Sequence, residues 1–170
     1  FPTSYIPTSG ATATRAADVA TIATSAFGYN QDEGTIFVEA GQFATAELTV
    51  RDVAMLSKSS YESSNRNGIF TFNTSGKIGG TSANSGTISD IQQIPANRLA
   101  FKACYAFQDD NMAFTLGAFL STDTSGTINR DMKELFIGSS VNHPNLNGHI
   151  KKLQYFPRRL SNTQLQEITR

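Results

Sequence analysis

The segment LAFKACYAFQDDNMAFTLGAFL, residues 99–120, decides the fold class of this 170-residue chain. Apolar residues recur at every second position, which places one set on a single face of a strand: Leu99, Phe101, Ala103, Tyr105 and Phe107. Met112, Phe114 and Leu116 repeat the spacing after a polar turn at residues 108–111. The segment therefore predicts an antiparallel hairpin.

Short β-branched and aromatic runs, separated by Gly, Asn, Ser and Asp, extend this pattern along the chain. They predict strands at 35–40, 45–50, 53–57, 68–73, 99–107, 112–120, 134–138 and 149–155, with a further turn at 73–76. No long helical period occurs before the last ten residues, which disfavours a parallel sheet with crossover helices. We therefore expect an all-β fold, a two-sheet antiparallel jelly-roll β-sandwich.

The end of the chain predicts a short C-terminal helix. Ser161 has the position of an N-cap, and Gln164 completes a capping box three residues later. Leu160 can pack on Leu165 across the first turn, and Ile168 extends the same apolar side. This side is expected to lie against the sandwich.

Composition and charge exclude several classes of protein. The 14 basic and 14 acidic residues balance, so no overall field would attract nucleic acid or an anionic membrane. The sequence has no apolar run of about 20 residues, the length that predicts membrane insertion, and its first residues do not form a targeting signal. Cys104 is the single cysteine, and its apolar neighbours predict a small buried side chain.

The opening residues predict a connector. Pro2 and Pro7 stand among small polar residues, which favours an extended conformation. We expect residues 1–14 to link a preceding domain to one sandwich domain at 15–170, a length sufficient for one core. Because the chain starts at Phe1, we also expect it to begin inside a longer polypeptide.

The carboxylates and histidines of the sequence are not spaced as a catalytic or metal site requires. Glycoside hydrolysis needs two carboxylates on either side of one bond, but Glu39 and Glu47 are alone in their strands. His143 and His149 fit no helical metal-binding spacing. We therefore expect a protein that is not an enzyme.

A cofactor is not required by any motif, although calcium stays possible. Calcium binds loop oxygens, and residues 32–33 and 109–111 offer them. Neither stretch has the EF-hand spacing, and ordinary turn and surface roles are the favoured interpretation.

Loop residues that combine rings with amides and charged groups suit sugar recognition. Sugars present apolar C–H faces and a ring of hydroxyls that need donors and acceptors. The candidates are Tyr29, Asn30, Asp32, Tyr61, Arg66, Asn67, Asp109, Asn111 and Asn145. The chain has no tryptophan, so we expect a shallow site that depends on hydrogen bonds. Turns of any β-sandwich use the same residue types, which leaves a structural role open.

Three segments resemble a known family: SYIPTSGATATRAADVATI (4–22), EGTIFVEA (33–40) and NGHIKKLQYFPRRLSNTQLQEIT (147–169). Together they resemble the concanavalin A-like, laminin-G-like domain of bacteriophage and prophage tail proteins. The closing pattern of that family is matched at Gly148, Ile150, Leu153, Tyr155, Pro157, Arg159, Leu160 and Ser161. Residues 45–98 align only loosely.

The resemblance implies a domain of a tail fibre, tailspike or similar virion protein that adheres to the host surface. The expected partner is a host-surface polysaccharide or receptor, the expected location is the virion or the extracellular space, and a homotrimer is possible in the full-length protein. One alternative is a structural module that assembles the trimer, favoured by an unpolar alternate strand face at Ala100, Lys102, Cys104 and Ala106. The other is a glycan-cleaving enzyme, which two carboxylates about 5–9 Å apart in one groove would favour.

Basic residues gather near the end of the chain. Lys151 and Lys152 are adjacent on a strand, so we expect them to point to opposite sides and to form no single patch. Arg170 is expected in the last helical turn, where a cation complements the helix dipole. Because a guanidinium can bind backbone carbonyls at a corner, we expect a structural clasp rather than a nucleic-acid site. Its residues are Tyr155, Pro157, Arg159 and Ser161.

Overall fold

The structure is a computed structural model that describes Gly10 and residues 20–42, 50–62, 64–72, 76–95, 97, 99–140 and 143–170, without the side chains of 59–62. In these residues the strands are β1 (Thr21–Ala23), β2 (Glu33–Gln42), β3 (Val50–Glu62), β4 (Asn65–Phe72), β5 (Ile78–Asn84), β6 (Thr87–Gln93), β7 (Phe101–Gln108), β8 (Met112–Leu116), β9 (Phe119–Asp123), β10 (Glu134–Ile137) and β11 (Gly148–Phe156). A 3-10 turn at Thr24–Ala26 follows β1, and one helix, α1 (Asn162–Ile168), follows β11.

The strands form two antiparallel sheets. The first sheet has the order β1-β10-β3-β4-β5-β6, and the second has the order β11-β2-β7-β8-β9. The prediction of an all-β, two-sheet antiparallel sandwich with a short C-terminal helix is confirmed.

The connections between strands emerge at two opposite ends, because neighbouring strands run antiparallel. The Arg130 end carries residues 24–32, 109–111, 124–133 and 157–161. The Phe119 end carries residues 94–95, 97, 99–100, 117–118, 138–140 and 143–147. The candidate surfaces for ligand contact lie at these two ends.

The main core lies between the sheets and is filled by the predicted hairpin, which is confirmed. Tyr105, paired with Phe114 across the hairpin, is fully buried. Its hydroxyl lies 2.7 Å from Ser82 Oγ and 3.3 Å from the Met112 sulphur. The ring lies directly on Gly80, where an added Cβ would be 2.1 Å from Tyr105 Cδ2. A glycine at this position is therefore part of how the core fits together.

The helix α1 starts with the predicted capping box. Ser161 Oγ accepts a hydrogen bond from the Gln164 N–H at 3.3 Å, and the Gln164 side chain accepts one from the Ser161 N–H at 3.0 Å. The helix ends at Ile168, so Arg170 lies beyond its last turn, and that prediction is wrong. The cation at this helix end is instead the Lys102 ammonium, which donates to the Arg170 carbonyl.

The outward face of β7 is covered by the chain itself. Cys104 and Ala106 are buried against Leu160 and Leu165, so Cys104 is the small buried side chain that was predicted. The alternate strand face, whose low polarity was the reason to consider an assembly module, is therefore not exposed at Cys104 and Ala106. The proposal of a trimer-assembly module loses that supporting observation.

Several strand predictions need correction. The predicted strand 112–120 is broken by a turn at Gly117 and Ala118, whose φ values are 54° and 70°, so Phe119 begins a separate strand. Strands β5 and β6 are not predicted, because their Gly, Ser, Thr and Asn residues resemble turns. Leu99 lies before β7 and is 55% exposed, so its predicted place on the inner face is wrong.

Other predictions fall outside the described residues. The strand at 45–50 is described only at Val50, and the turn at 73–76 only at Gly76. The division into a linker at 1–14 and a domain at 15–170 stays a prediction. In the described part of the chain, no helix has the length and apolarity needed to cross a membrane.

Candidate functional site

Most of the residues predicted to contact sugar lie at the Arg130 end. The connections at this end carry Tyr29, Asn30, Asp32, Asp109 and Asn111, and β4 starts there with Arg66 and Asn67. Asn145 lies at the opposite end, and the side chain of Tyr61 is outside the described part of the structure. The topology therefore brings together residues that are far apart in sequence.

An ion-pair network holds this end together. Arg130 Nε lies 2.8 Å from Asp32 Oδ1, and Arg130 Nη2 lies 2.6 Å from Asp109 Oδ2. The other oxygen of Asp109 accepts from the Ile128 N–H at 2.8 Å. Burial raises the pKa of Asp109, but the Ile128 N–H and the Arg130 guanidinium outweigh it and leave this pKa below its ordinary value. Both carboxylates are thus engaged by one guanidinium.

This arrangement bears on the calcium prediction. Arg130 supplies positive charge between the carboxylates of Asp32 and Asp109, two of the residues whose oxygens were considered as metal ligands. Among the described residues, no group of three or more His, Cys, Asp or Glu side chains is arranged to hold a metal ion. In this structure, both carboxylates are ion-pair partners of Arg130.

Asn30 connects this network to the end of β11. Its N–H donates to the Tyr155 hydroxyl at 3.0 Å, and its Nδ2 donates to the Pro157 carbonyl at 3.1 Å. Its side-chain oxygen accepts from the Asp32 N–H at 3.0 Å. All of its polar groups therefore make internal contacts, which joins the β1–β2 connection to the residues predicted as a clasp.

Arg159 makes the second set of contacts at this corner. Its N–H donates to Glu33 Oε2 at 2.8 Å, and its guanidinium donates to the carbonyls of Asn111 at 3.3 Å and Leu160 at 2.7 Å. Partial burial lowers the pKa of Arg159. The guanidinium thus binds backbone carbonyls on two sides of the corner.

The ring of Tyr29 is packed inward. Its centroid lies 5.4 Å from that of Tyr155 and 6.4 Å from that of Phe107, and burial raises the pKa of its hydroxyl. Asn67 is fully buried, and its Nδ2 donates to the Asn129 carbonyl at 3.2 Å. These two residues support the loops from within and do not form an outward platform.

A polar cavity of about 350 Å³ opens beside Tyr29, between residues 24–31 and 132–133. Gln31 lines it, but its amide donates to the Met132 carbonyl and accepts from the Met132 N–H. Lys133 also lines it and pairs with Asp131 at 2.6 Å. The polar groups of the cavity are largely occupied by other protein groups.

A groove of about 460 Å³ opens at the Phe119 end and has a different character. Its lining includes Ile94, Pro95, Asn97, Lys102, Leu116 and Phe119. Phe119 is 77% exposed and Ile94 is 70% exposed, so large apolar groups face solvent. Of the five large hydrophobic residues that the described structure exposes, three belong to this end: Ile94, Leu99 and Phe119. An exposed apolar concentration of this kind is typical of a binding surface.

The sequence patterns do not predict this groove. They predict one continuous strand over 112–120 that includes Phe119, because the turn at Gly117 and Ala118 is not recognised. Ile94 and Asn97 follow β6, a strand that the pattern does not predict. A two-residue turn after the alternating run 112–116 is the one signal that could have set Phe119 apart.

A bulge in β11 changes the position of the lysines. The register shifts between Ile150 and Lys152, so Lys151 is an additional residue. Lys151 Nζ lies 2.7 Å from Glu39, and Lys152 Nζ lies 5.6 Å from the centre of the Phe37 ring. Since Phe37 and Glu39 share the outer face of the second sheet, both lysines reach that face. The prediction that they point to opposite sides is wrong.

The loop that carries Asn145 is attached to β3. Arg51 donates to the Asn145 carbonyl, and His143 Nδ1 lies 3.0 Å from Asp52 Oδ2. Asp52 is 1% exposed. These contacts use backbone and buried groups, so they position the loop.

Known structures share this fold. The chain is similar to the CBM40 domain of the Ruminococcus gnavus IT-sialidase bound to α2,3-sialyllactose, with a TM-score of 0.68, 14% identity, and coverage of 86% of this chain and 87% of that one. It is similar to a leech intramolecular trans-sialidase, with a TM-score of 0.65, 15% identity, and coverage of 82% and 23%. It is also similar to a SAP-like pentraxin from Limulus polyphemus, with a TM-score of 0.61, 12% identity, and coverage of 80% and 69%.

No protein-family model matches the sequence, and no curated protein matches it. At 12–15% identity, the structural similarity establishes the fold. The fold is a two-sheet antiparallel jelly roll, so the jelly-roll prediction is confirmed. A fold does not determine a function, which depends on the surfaces that this chain presents at its two ends.

Proposed function

We propose that this chain is a non-catalytic carbohydrate-binding module and that a glycan lies in the groove at the Phe119 end. The observation that carries the proposal is the Phe119 ring, 77% exposed, in a groove that Asn97 and Lys102 also line. A ring packs against the C–H face of a sugar, while an amide such as that of Asn97 serves its hydroxyls. The groove volume, about 460 Å³, lies within the usual range for small-ligand sites.

The structural neighbours support the carbohydrate part of this proposal. The Ruminococcus gnavus domain, which matches over most of both chains, is bound to α2,3-sialyllactose in one structure and α2,6-sialyllactose in another. The match is one of fold, so it favours a ligand class without assigning a site.

The charged network at the Arg130 end supports a non-catalytic function. A general acid in glycoside hydrolysis needs a carboxyl whose pKa is raised. Asp109 has a lowered pKa, and both Asp109 and Asp32 are paired with Arg130. Asp109 is therefore poorly suited to donate a proton to a leaving group.

The Arg130 end is a second candidate surface for sugar contact. Its exposed groups include Asp32, Asn111 and Lys133, and the polar cavity beside Tyr29 is open. A sugar at this end would compete with the internal hydrogen bonds of Asn30 and Gln31, which makes it the weaker candidate.

The experiment is a glycan array followed by calorimetric titration of each glycan that binds. Phe119→Ala should weaken binding about tenfold, which corresponds to about 1.4 kcal/mol for the loss of a stacking ring. The melting temperature should stay unchanged because the ring is exposed. Ile88→Ala is the matched control, since Ile88 is 51% exposed on β6 and does not line the groove.

Three outcomes decide the proposal. Weakening by Phe119→Ala alone supports the groove. If Lys133→Ala weakens glycan binding and Phe119→Ala does not, the site lies at the Arg130 end and the groove is not the binding site. Absence of binding to every glycan on the array overturns the proposal.

We also propose a biological setting for the module: a bacteriophage or prophage tail fibre or tailspike that binds a host-surface polysaccharide. The support is the closing motif at 148–161, which resembles that of phage tail domains. The module would then act on the virion or in the extracellular space, and the full-length protein could be a homotrimer. Immunogold labelling with antibodies against this chain should mark the tails of phage particles, and label confined to the cytosol of the producing cell would contradict the setting.

A further inference from the structure

Three lysines surround one glutamate on the outer face of the second sheet. In the strand register, Lys152 of β11 pairs with Glu39 of β2, and Glu39 pairs with Lys102 of β7. The bulge adds Lys151 to the same face, 2.7 Å from Glu39. Adjacent strands lie about 4.8 Å apart, so Lys102 and Lys152 are about 10 Å from each other at the backbone. We call Lys102, Lys151 and Lys152 the lysine cluster.

The charge of this cluster is not balanced by its glutamate. Three ammonium groups and one carboxylate leave an excess of two positive charges, on a chain whose formal net charge is zero. The hydrogen bond from Lys151, opposed by slight desolvation and helped by the charges of all three lysines, keeps the pKa of Glu39 below its ordinary value. One ion pair would satisfy Glu39, so the other two lysines are not required for that purpose. Like charges held close together favour the binding of an anion.

The cluster has hydrogen-bond donors to spare. Each ammonium carries three N–H groups. Lys151 uses one on Glu39, and Lys102 uses one on the Arg170 carbonyl. Lys151 and Lys152 are exposed, and the Lys151 side chain is 70% exposed. An anionic group that approaches from solvent would therefore meet available donors.

Lys102 lies where the cluster and the groove meet: it lines the groove that contains Phe119, while its side chain lies on the outer face with Glu39 and donates to the Arg170 carbonyl. Phe119 pairs with the core residue Leu116, so a ligand that reaches both surfaces would pass around the end of β7. Apolar groups on one side and excess positive charge on the other are complementary to a chain of sugar rings that carries acidic groups. Resting on the proposed carbohydrate function, we infer that the ligand is an anionic polysaccharide, with a sugar ring on Phe119 and acidic groups on the lysine cluster. Carboxylates and sulfates share the chemistry that this cluster would recognise.

The test compares acidic polysaccharides with neutral partners of the same backbone, by titration of the whole chain. Polygalacturonate and its neutral methyl ester form the carboxylate pair, and dextran sulfate and dextran form the sulfate pair. The acidic member of at least one pair should bind more tightly, and its affinity should fall as sodium chloride rises from about 50 mM to about 500 mM. The pair that shows the preference identifies the acidic group.

The variants assign the effect to the cluster. Lys151→Gln and Lys152→Gln should each lower the affinity for the acidic polymer about fivefold and leave the neutral polymer unaffected. Lys133→Gln is the matched control, since Lys133 is 58% exposed and paired with Asp131 at the opposite end. Phe119→Ala should weaken both members of a pair. Melting curves confirm that each variant is folded.

The outcomes separate this inference from the proposed function. Glycan binding that depends on Phe119 but shows no acidic preference overturns the inference and leaves the proposed function standing. An acidic preference lost in Lys133→Gln and kept in the cluster variants also overturns it. Equal binding of double-stranded DNA, independent of Phe119, would show a general polyanion surface and would contradict the inference as well. Absence of all glycan binding overturns the proposed function itself.

Discussion

Replacing Gly80 with alanine should destabilise the sandwich strongly, although the backbone at this position does not require glycine. Gly80 is not among the residues with a positive φ, so alanine fits the local conformation. At such a position, alanine usually stabilises a protein by about 0.4–1 kcal/mol, because it restricts the unfolded chain. The packing around Gly80 is expected to make alanine destabilising here instead of stabilising.

The clash is with the Tyr105 ring. A Cβ on Gly80 would lie 2.1 Å from Cδ2, 2.5 Å from Cγ and 2.7 Å from Cε2 of that ring. The ring cannot move away easily, because Tyr105 is fully buried and its hydroxyl lies 2.7 Å from Ser82 Oγ. Overpacking of this kind costs about 3 kcal/mol. For a chain of this size that lowers the melting temperature by about 6–12 °C.

The assay is urea unfolding of Gly80→Ala, Tyr105→Ala and the double variant. Alanine at position 105 lacks Cγ, Cδ2 and Cε2, the atoms that the new Cβ would meet, so the double variant should cost at least about 1.5 kcal/mol less than the sum of the single variants. Additive costs, or a Gly80→Ala protein as stable as the wild type, would refute the reasoning. Additive costs would mean that the penalty does not come from the Tyr105 ring, and an unchanged stability would mean that the ring moves without penalty.

Three further predictions follow from local contacts. Arg159→Ala should lower the melting temperature by about 3–6 °C, because two hydrogen bonds from the charged guanidinium to backbone carbonyls are lost. Calorimetric titration should find the glycan affinity of this variant unchanged. A lost affinity at an unchanged melting temperature would instead show that the corner is a binding site. Ser161→Ala should cost about 1 kcal/mol in chemical unfolding, and Ser161→Thr, which keeps the cap hydroxyl, should cost less. Hydrogen bonds from the N–H and then the hydroxyl of Ser125 lower the pKa of Asp123, so the stability that Asp123 contributes is present above the ordinary aspartate pKa and is lost as the pH falls through the lowered pKa. Between about pH 6 and about pH 3, the free energy of unfolding should therefore fall less for Asp123→Asn than for the wild type. An equal fall in both proteins would contradict this prediction.

Local patterns in the sequence predict part of this structure well. The alternation around Tyr105 and Phe114 predicts the central hairpin, since a strand period of two requires no knowledge of distant residues. The capping box at Ser161 and Gln164 is equally local, because both partners lie within one helical turn. Features decided within a few residues are therefore accessible from sequence.

Other features depend on residues that meet only in the folded chain. Gly80 resembles a turn residue in sequence, but it is needed in β5 because Tyr105 lies on it from the other sheet. The surroundings of Phe119 come from separate connections at one end, so no single segment carries the signal. The β11 bulge reverses the expected orientation of Lys151, and alternation alone cannot reveal it.

The predicted sugar-contact residues show the same division. Sequence indicates correctly that Asn30, Asp32 and Asp109 are polar residues in connections. Whether such groups face a ligand depends on their partners, and here Arg130 and Pro157 engage them. Arg130 carries no local signal of that role.

The pairing of β11 with β2 has a consequence for how the sandwich forms. The ion pair between Lys151 and Glu39 joins residues separated by 112 positions, and the Arg159–Glu33 hydrogen bond joins residues separated by 126. Contacts of such long sequence separation must close large loops, which slows folding. During synthesis, β2 and β7 are made well before the strand that completes their sheet, so that sheet edge stays open until residue 156 has left the ribosome. The sandwich is therefore expected to complete its folding only after β11 has emerged from the ribosome.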